Sequence, residues 1–246
     1  MRRLIIFLTF FFNYLLSQSL FFSEYAEGSS NNKYLEIYNP TNQTVDLNEY
    51  AYPSVSNDPA NAGLHDFWNE FQTGASVDAG DVYVICHGSA DDFILSECDE
   101  IHNYLFNGDD PFAIVKGSES DYTVIDIVGE NFTNPNYADP GTGWDVAGIS
   151  DATKNHTLIR KNSVTSGNTD WALSAGTNPE ESEWIVYDQN YWDDIGTHTF
   201  SGVTISFNRY NVSSLGSDSN NGSEESPFAT IQAGINAASD GDTVLV

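Results

Sequence analysis

The stretch Phe22-Ser-Glu-Tyr-Ala-Glu-Gly-Ser-Ser-Asn-Asn-Lys-Tyr-Leu-Glu-Ile-Tyr-Asn-Pro40 decides the fold class. Two short runs rich in aromatic and β-branched residues, Leu20 to Tyr25 and Tyr34 to Tyr38, flank a Gly, Ser and Asn turn, the composition of paired strands. Tyr34 to Tyr38 alternates, with Leu35 and Ile37 on one face, and predicts a half-buried strand. Further on, Val82 to Cys86 is apolar throughout, as in a central strand covered on both faces. Phe112 to Val115, Tyr122 to Val128, Thr157 to Arg160 and Trp184 to Tyr187 repeat the strand composition between Gly, Asn, Asp and Pro clusters. No stretch between 20 and 200 holds a sustained helical period, although His65 to Phe71 predicts one short helical turn. Many short strands with turn-rich connections imply an all-β sandwich over residues 20–200.

The chain opens with Met1-Arg2-Arg3, an apolar run from Leu4 to Leu16 and small residues up to Ser19. That order predicts a secretory signal peptide over residues 1–19, with an uncleaved anchor as the alternative. The run is short for a bilayer crossing, which takes about 20 apolar residues, and no later stretch predicts a span. Loss of Arg2 and Arg3 leaves 6 bases against 36 acids, a net charge of −30. So acidic a surface argues against direct nucleic-acid binding, which needs clustered Lys and Arg. Lys154, Arg160 and Lys161 are the only local basic group. The acidity suits either a solvated surface in salty surroundings or one that collects divalent cations. Cys86 and Cys98, the two cysteines of the chain, point in an exported protein to a disulfide. Closing a loop of that length contributes on the order of 2–3 kcal/mol. A two-Cys metal site with His87 and His102 is the alternative.

Past Phe200 the composition changes. Val203 to Phe207 and Tyr210 to Ser213 read as strands, followed by a polar loop from Leu215 to Glu225. Ser226 suits a helix N-cap and Pro227 the first helical position, which puts Phe228, Ile231, Ile235 and Ala238 on one apolar face. Thr243 to Val246 then reads as a terminal strand with nothing to pair with, as in a chain cut off where a second domain begins.

The opening stretch with Val45-Asp-Leu47, and Asn107-Gly-Asp-Asp-Pro111, Gly141-Thr-Gly-Trp144, Thr157-Leu-Ile-Arg-Lys161 and Ser182-Glu-Trp184 in that order, resembles bacterial lamin tail domains over most of residues 20–200. The resemblance implies an immunoglobulin-like β-sandwich and a non-catalytic module, of the kind often attached to nucleases, phosphatases or other hydrolases. Glu24, Glu36, Asn39 and Trp144 are then expected to be fold determinants. Tyr210 to Gln232 with Gly241 to Val246 is similar to the N-terminal cap and first strand of right-handed parallel β-helix proteins of the pectin-lyase-like fold. That second resemblance implies an incomplete β-helix start over residues 201–246, with catalytic acids in coils further on.

Chemistry-bearing patterns are sparse. The five histidines, His65, His87, His102, His156 and His198, show no HExxH or His-x-His spacing and predict structural roles. No nucleophile elbow or phosphate-binding glycine loop is present. Asp109 and Asp110 within the Asn107 to Pro111 motif suit either a tight turn or a Ca²⁺ site of hard oxygens. Asp218 to Glu225 loosely matches a calcium loop, with Gly222 one position early and no closing Glu. Among the aromatics, Tyr191 and Trp192 are the candidates for an exposed sugar-stacking platform. The whole points to an exported or cell-surface binding module, its partner an extracellular polysaccharide or cell-surface component and its only candidate cofactor Ca²⁺. The alternative is the leading portion of a polysaccharide-degrading β-helix enzyme.

Overall fold

The computed structural model describes residues 18–200, 209–224, 226–238 and 243–246. The predicted signal segment up to residue 17 and the strand expected at Val203 to Phe207 lie outside the described residues. The chain divides into two compact units, one ending at Phe200 and the other following it.

The first unit holds β1 (Phe21–Glu27), β2 (Lys33–Tyr38), β3 (Val45–Asp46), β4 (Tyr50–Ala51), β5 (Ser76–Val77) and β6 (Val82–Cys86). It continues with α1 (Asp92–Ser96), β7 (Glu100–Ile101), β8 (Phe112–Ser118), β9 (Asp121–Val128), β10 (His156–Arg160), α2 (Trp171–Ala175) and β11 (Trp184–Asp188). A six-stranded sheet runs in the order β11-β10-β1-β2-β6-β7, and a three-stranded sheet in the order β4-β8-β9. All neighbours are antiparallel except β6 and β7. Phe22, Tyr25, Leu35, Ile37, Ile85 and Leu158 of the large sheet share one core with Phe112, Ile114 and Val128 of the small one. This is the sandwich that the strand pattern predicts, and each of the seven predicted strands is present.

Both outer faces are covered as well. Ala26, Tyr34, Val84 and Cys86 pack under Ile94 of α1 and under Ile195, while Ala113, Val115 and Ile127 pack under Val55, Phe132 and Tyr137. Val82 to Cys86 is therefore apolar on both sides, as expected. β2 corrects its half-buried reading: all six of its residues are buried, Glu36 included. Its alternation separates two kinds of buried face. The expected turn at His65 to Phe71 is also not helical, because Phe67 bridges Ser54 and Glu70 bridges Ala51 in extended pairing. The five-residue helices α1 and α2 are too short to show a period; each is capped by an aspartate, Asp91 or Asp170.

Two bulges set which side chains meet. Phe22 faces Ile37 and Glu24 faces Glu36, so Ser23 is an extra residue in β1. The insertion sends Phe22 to the core and Glu24 to the outer face. On β9 the register slips between the pairs Ile114–Asp126 and Val115–Val124, and Asp126 turns inward. There Asp126 meets Arg160 in an ion pair, with Nη2 2.7 and 2.6 Å from the two carboxylate oxygens and both side chains fully buried. Arg160 also donates to the Phe22 carbonyl, Ser174 Oγ and Glu183 Oε2, and its guanidinium lies 4.1 Å from the Trp184 ring centroid. Arg160 is thus an internal link and no part of a basic surface group.

Cys86 and Cys98 form a disulfide with Cα atoms 5.9 Å apart, which ties β6 to the end of the α1 loop. Asn39 Nδ2 donates to the carbonyls of Gln43, Val77 and Asp78, and its Oδ1 accepts from Thr41. One side chain thereby fixes the turn after β2. Trp144 packs at the margin of the core, 6.4 Å from Trp171. Both residues hold the fold, as the resemblance implied.

In the second unit, β12 (Arg209–Asn211) and β13 (Thr243–Leu245) pair in parallel, with α3 (Ile231–Ala237) between them in sequence. The terminal strand expected to stand alone is therefore paired. The helix begins later than predicted: Thr230 is its N-cap, and Phe228 forms a strand-like bridge with Val212. Asp218 accepts from the backbone N–H of Ala229 and Thr230 and from the Thr230 hydroxyl, which fixes the later start. Gly234 is the helix position against Val212 and Val244, where a Cβ would lie 2.7 Å from Val244 Cγ1. Ile231 and Ile235, expected on the packed face, are exposed.

Removing one partner of a buried, hydrogen-bonded ion pair leaves the other charge unmatched, at a cost of about 3–5 kcal/mol. Arg160→Met is expected to lower the unfolding free energy of the full chain by that amount in a urea titration. Asp126→Leu combined with Arg160→Met should recover part of it. A loss under about 1 kcal/mol for the single variant would contradict the role of the pair.

Candidate functional site

A cavity of about 510 Å³ opens at one end of the sandwich between two loops, Ser54 to Asn69 and His102 to Phe112. Its size falls in the range of small-ligand pockets, roughly 300–1,000 Å³. Ser54 forms the floor: it exchanges backbone hydrogen bonds with Phe67 and bridges Phe112. Asp110 ties the two loops together, with Oδ1 accepting from Asn57 N–H and Oδ2 from Asn107 N–H, each at 3.0 Å. Lys33 Nζ reaches the same loop from beneath, donating to the Phe106 carbonyl and Asn107 Oδ1 while paired with Glu27 at 3.1 Å. Gly108 has φ +104°, and a Cβ there would meet Lys154 at 2.6 Å, so the turn needs glycine.

The walls mix rings and neutral polar groups. Tyr104 is 86% exposed and Phe67 54% exposed. Behind Tyr104 stands His102, at 6.3 Å between ring centroids, and behind His102 stands buried Tyr52, at 5.5 Å. Burial lowers the His102 pKa below its ordinary value, so the ring is neutral at neutral pH. Asn69 Nδ2 is held by the Tyr52 carbonyl and Ser54 Oγ, and Asn103 Oδ1 accepts from Gly88 N–H. The sequence pattern singled out Asp109 and Asp110 in this loop but missed Phe67, His102 and Tyr104. An aromatic on each of two turn-rich loops was the only signal of them.

The remaining candidates fall elsewhere. Burial, with the Asp110 charge second, raises the Asp109 pKa, and both Asp110 oxygens are occupied by backbone N–H groups. Among the described residues no cluster of three or more His, Cys, Asp or Glu is arranged to hold a metal ion. Asp218, first residue of the loose calcium loop, binds the start of α3, and Glu225 lies outside the described residues. Tyr191 stacks on Tyr187 at 4.1 Å and 11°, and Trp192 packs partly buried against the Ala26–Tyr34–Ile195 cluster.

The bulge at Ser23 creates a second polar arrangement. Glu24 and Glu36 lie opposite each other on β1 and β2, buried under residues 191–198. Tyr34 donates to Glu24 Oε2 at 2.6 Å, Ser23 Oγ to Glu36 Oε1 at 2.7 Å, and Gly196 N–H to Glu36 Oε2 at 2.7 Å. Burial, then the Glu36 charge, pushes Glu24 up to about 9. Burial pushes Glu36 up to about 8, against its Ser23 and Gly196 hydrogen bonds. Glu24 Oε1, Asp194 Oδ1 and Trp192 Nε1 are buried with no hydrogen-bond partner among the described residues. The segment covers both carboxyls, so their protonation bears on stability.

Fold and site together define an immunoglobulin-like β-sandwich module with a groove at its loop end. The chain matches the Lamin Tail Domain family over residues 17–186, more than half its length, and belongs to that family. No curated protein and no solved structure matches it. No helix among the described residues is long and apolar enough to cross a membrane.

A carboxyl whose folded pKa is raised favours the folded state while protonated. That contribution is full below about 4.5 and is lost as pH rises through about 8 to 9. Thermal unfolding between pH 6 and 9.5 is expected to show a falling Tm. The double variant Glu24→Gln/Glu36→Gln, neutral at every pH, should fall clearly less. Equal slopes would show that the pair is not protonated in the folded protein.

Proposed function

We propose that the chain is a secreted or cell-surface, non-catalytic binding module that holds an attached domain near an extracellular target. The observation that carries this reading is the lamin tail sandwich itself, whose family match spans nearly all of the first unit. The buried carboxyls are closed off, while the open groove is lined by rings and amides, an arrangement suited to holding a partner and not to bond cleavage. The charge of −28 repels polyanions, which argues against direct nucleic-acid binding. The signal-like residues 1–19 and the Cys86–Cys98 bridge favour export.

A second reading makes residues 201–246 the linker and start of a parallel β-helix in an extracellular polysaccharide-degrading enzyme. It is favoured by the parallel β12–β13 pair and by Ile231 and Ile235, one turn apart and exposed on α3. Under this reading a longer chain would stack its first coils against that face.

The full chain, mixed with washed cells of its source and their extracellular material, is expected to sediment with them. It should release neither reducing sugar ends from polysaccharides nor nucleotides from DNA. Turnover of either polymer, or a chain that stays wholly in solution, would overturn the binding-module reading.

A further inference from the structure

We propose that the groove between Phe67 and Tyr104 binds a neutral glycan, with one sugar ring stacked on Tyr104 and its hydroxyls met by Asn69, Asn103 and His102. The proposal deepens the binding-module reading by naming the ligand class, and it rests on that reading.

Three observations carry it. The first is the aromatic backing. Among the described residues Tyr104 is far more exposed than the other large aromatic side chains at the surface, and it ends a series of ring contacts: buried Tyr52 against His102, and His102 against Tyr104. Phe67, on the facing loop, is anchored through its backbone to Ser54. An exposed Tyr ring offers apolar area with few rotatable bonds to freeze, and it adds a polar tip. A pyranose presents an apolar C–H face ringed by hydroxyls, and that shape requires such a surface.

The second is the kind of polar group. Asn69 is oriented by the two acceptors its Nδ2 meets, which leaves its Oδ1 without a partner among the described residues. Asn103 is oriented through its Oδ1, which leaves its amide N–H groups without one. Neutral His102 gives its one N–H to the Tyr104 backbone and keeps its other ring nitrogen as an acceptor. Acceptors and a donor match hydroxyls, which donate and accept alike.

The third is charge. The carboxylate of the lining, Asp110, accepts a backbone N–H on each oxygen, and of the cations near its loop Lys33 is buried and paired with Glu27 while Lys154 packs beside Gly108. Among the described residues no Lys or Arg lines the groove to meet an anionic sugar, and the chain is strongly acidic. A neutral glycan is the extracellular polymer that fits both the rings and the electrostatics.

The test is native electrophoresis of the full chain through gels holding a β-glucan, a xylan, a mannan or a galactan, with polygalacturonate as the anionic comparison. At least one neutral polymer is expected to retard the chain. Tyr104→Ala and Phe67→Ala, both at exposed sites, should each weaken that retardation about tenfold, the loss expected when a stacking anchor is truncated. Tyr104→Trp should retain it and Tyr191→Ala should leave it unchanged. Retardation by none of the neutral polymers, by polygalacturonate alone, or undiminished in Tyr104→Ala would overturn the proposal. So would loss in Tyr191→Ala with Tyr104→Ala silent, which would move the platform to the other face. Capture by cells and extracellular material without glycan retardation would leave the binding-module reading standing and the glycan proposal fallen. Protease treatment of the material that abolishes capture would identify a protein partner and also overturn it.

Discussion

The buried pair of Arg160 and Asp126 is the contact on which the sandwich depends. Asp126 belongs to the small sheet and Arg160 to the large one, so the two carboxylate–guanidinium bonds cross the core. Their remaining valences are spent on irregular backbone. Asp126 accepts from Phe22 N–H and Asn168 N–H, and Arg160 donates to the Phe22 carbonyl. Phe22 sits at the bulge, where strand pairing is interrupted and its polar groups would otherwise be orphaned in the core. A bulge, an ion pair and the loop before α2 therefore satisfy one another. Ser174, which accepts from both Arg160 and Trp184, extends the set to α2 and β11.

The same bulge decides what lies on the opposite face. An uninterrupted β1 would keep Phe22 and Glu24 on one side of the sheet; the extra Ser23 puts them on opposite sides. Glu24 then meets Glu36 beneath the segment carrying Trp192 and Ile195. Two carboxyls close together in a dry layer cannot both ionise without large cost, so protons are retained there. In a chain with so many acids, this pair is set apart by being buried side by side, which keeps it protonated.

Sequence pattern carried the strands well, because composition and turn residues are local. Val82 to Cys86 shows why: an apolar run on both faces has one explanation once both faces are known to be covered. β2 misled, since Glu36 looks solvated until residues from 160 positions away close over it through Gly196. Arg160 misled for the same reason, its partners coming from Phe22, Asp126, Ser174 and Glu183. The helix of the second unit started at Thr230 instead of Ser226, because Asp218, distant in the loop, binds the later N-terminus. Long-range polar pairing is invisible to periodicity. The groove was legible only in part: Asp109 and Asp110 marked one wall, while Phe67 came from a loop read as helix.

The two polar arrangements divide the labour of the module. The carboxyl pair and the ion pair lie in or against the sheets, among buried side chains whose movement is costly. The groove lies on loops, yet these loops are not slack. Asp110 clamps one to the other, Ser54 joins both to the floor, and Lys33 reaches Asn107 from β2. A recognition surface on loops is useful only when its rings are held before the partner arrives, since freedom lost on binding subtracts from affinity. Asp110 serves that end by accepting a backbone N–H from each loop, one on each oxygen. The motif that suits either a tight turn or a cation site in sequence thus works as the brace between the two loops of the groove.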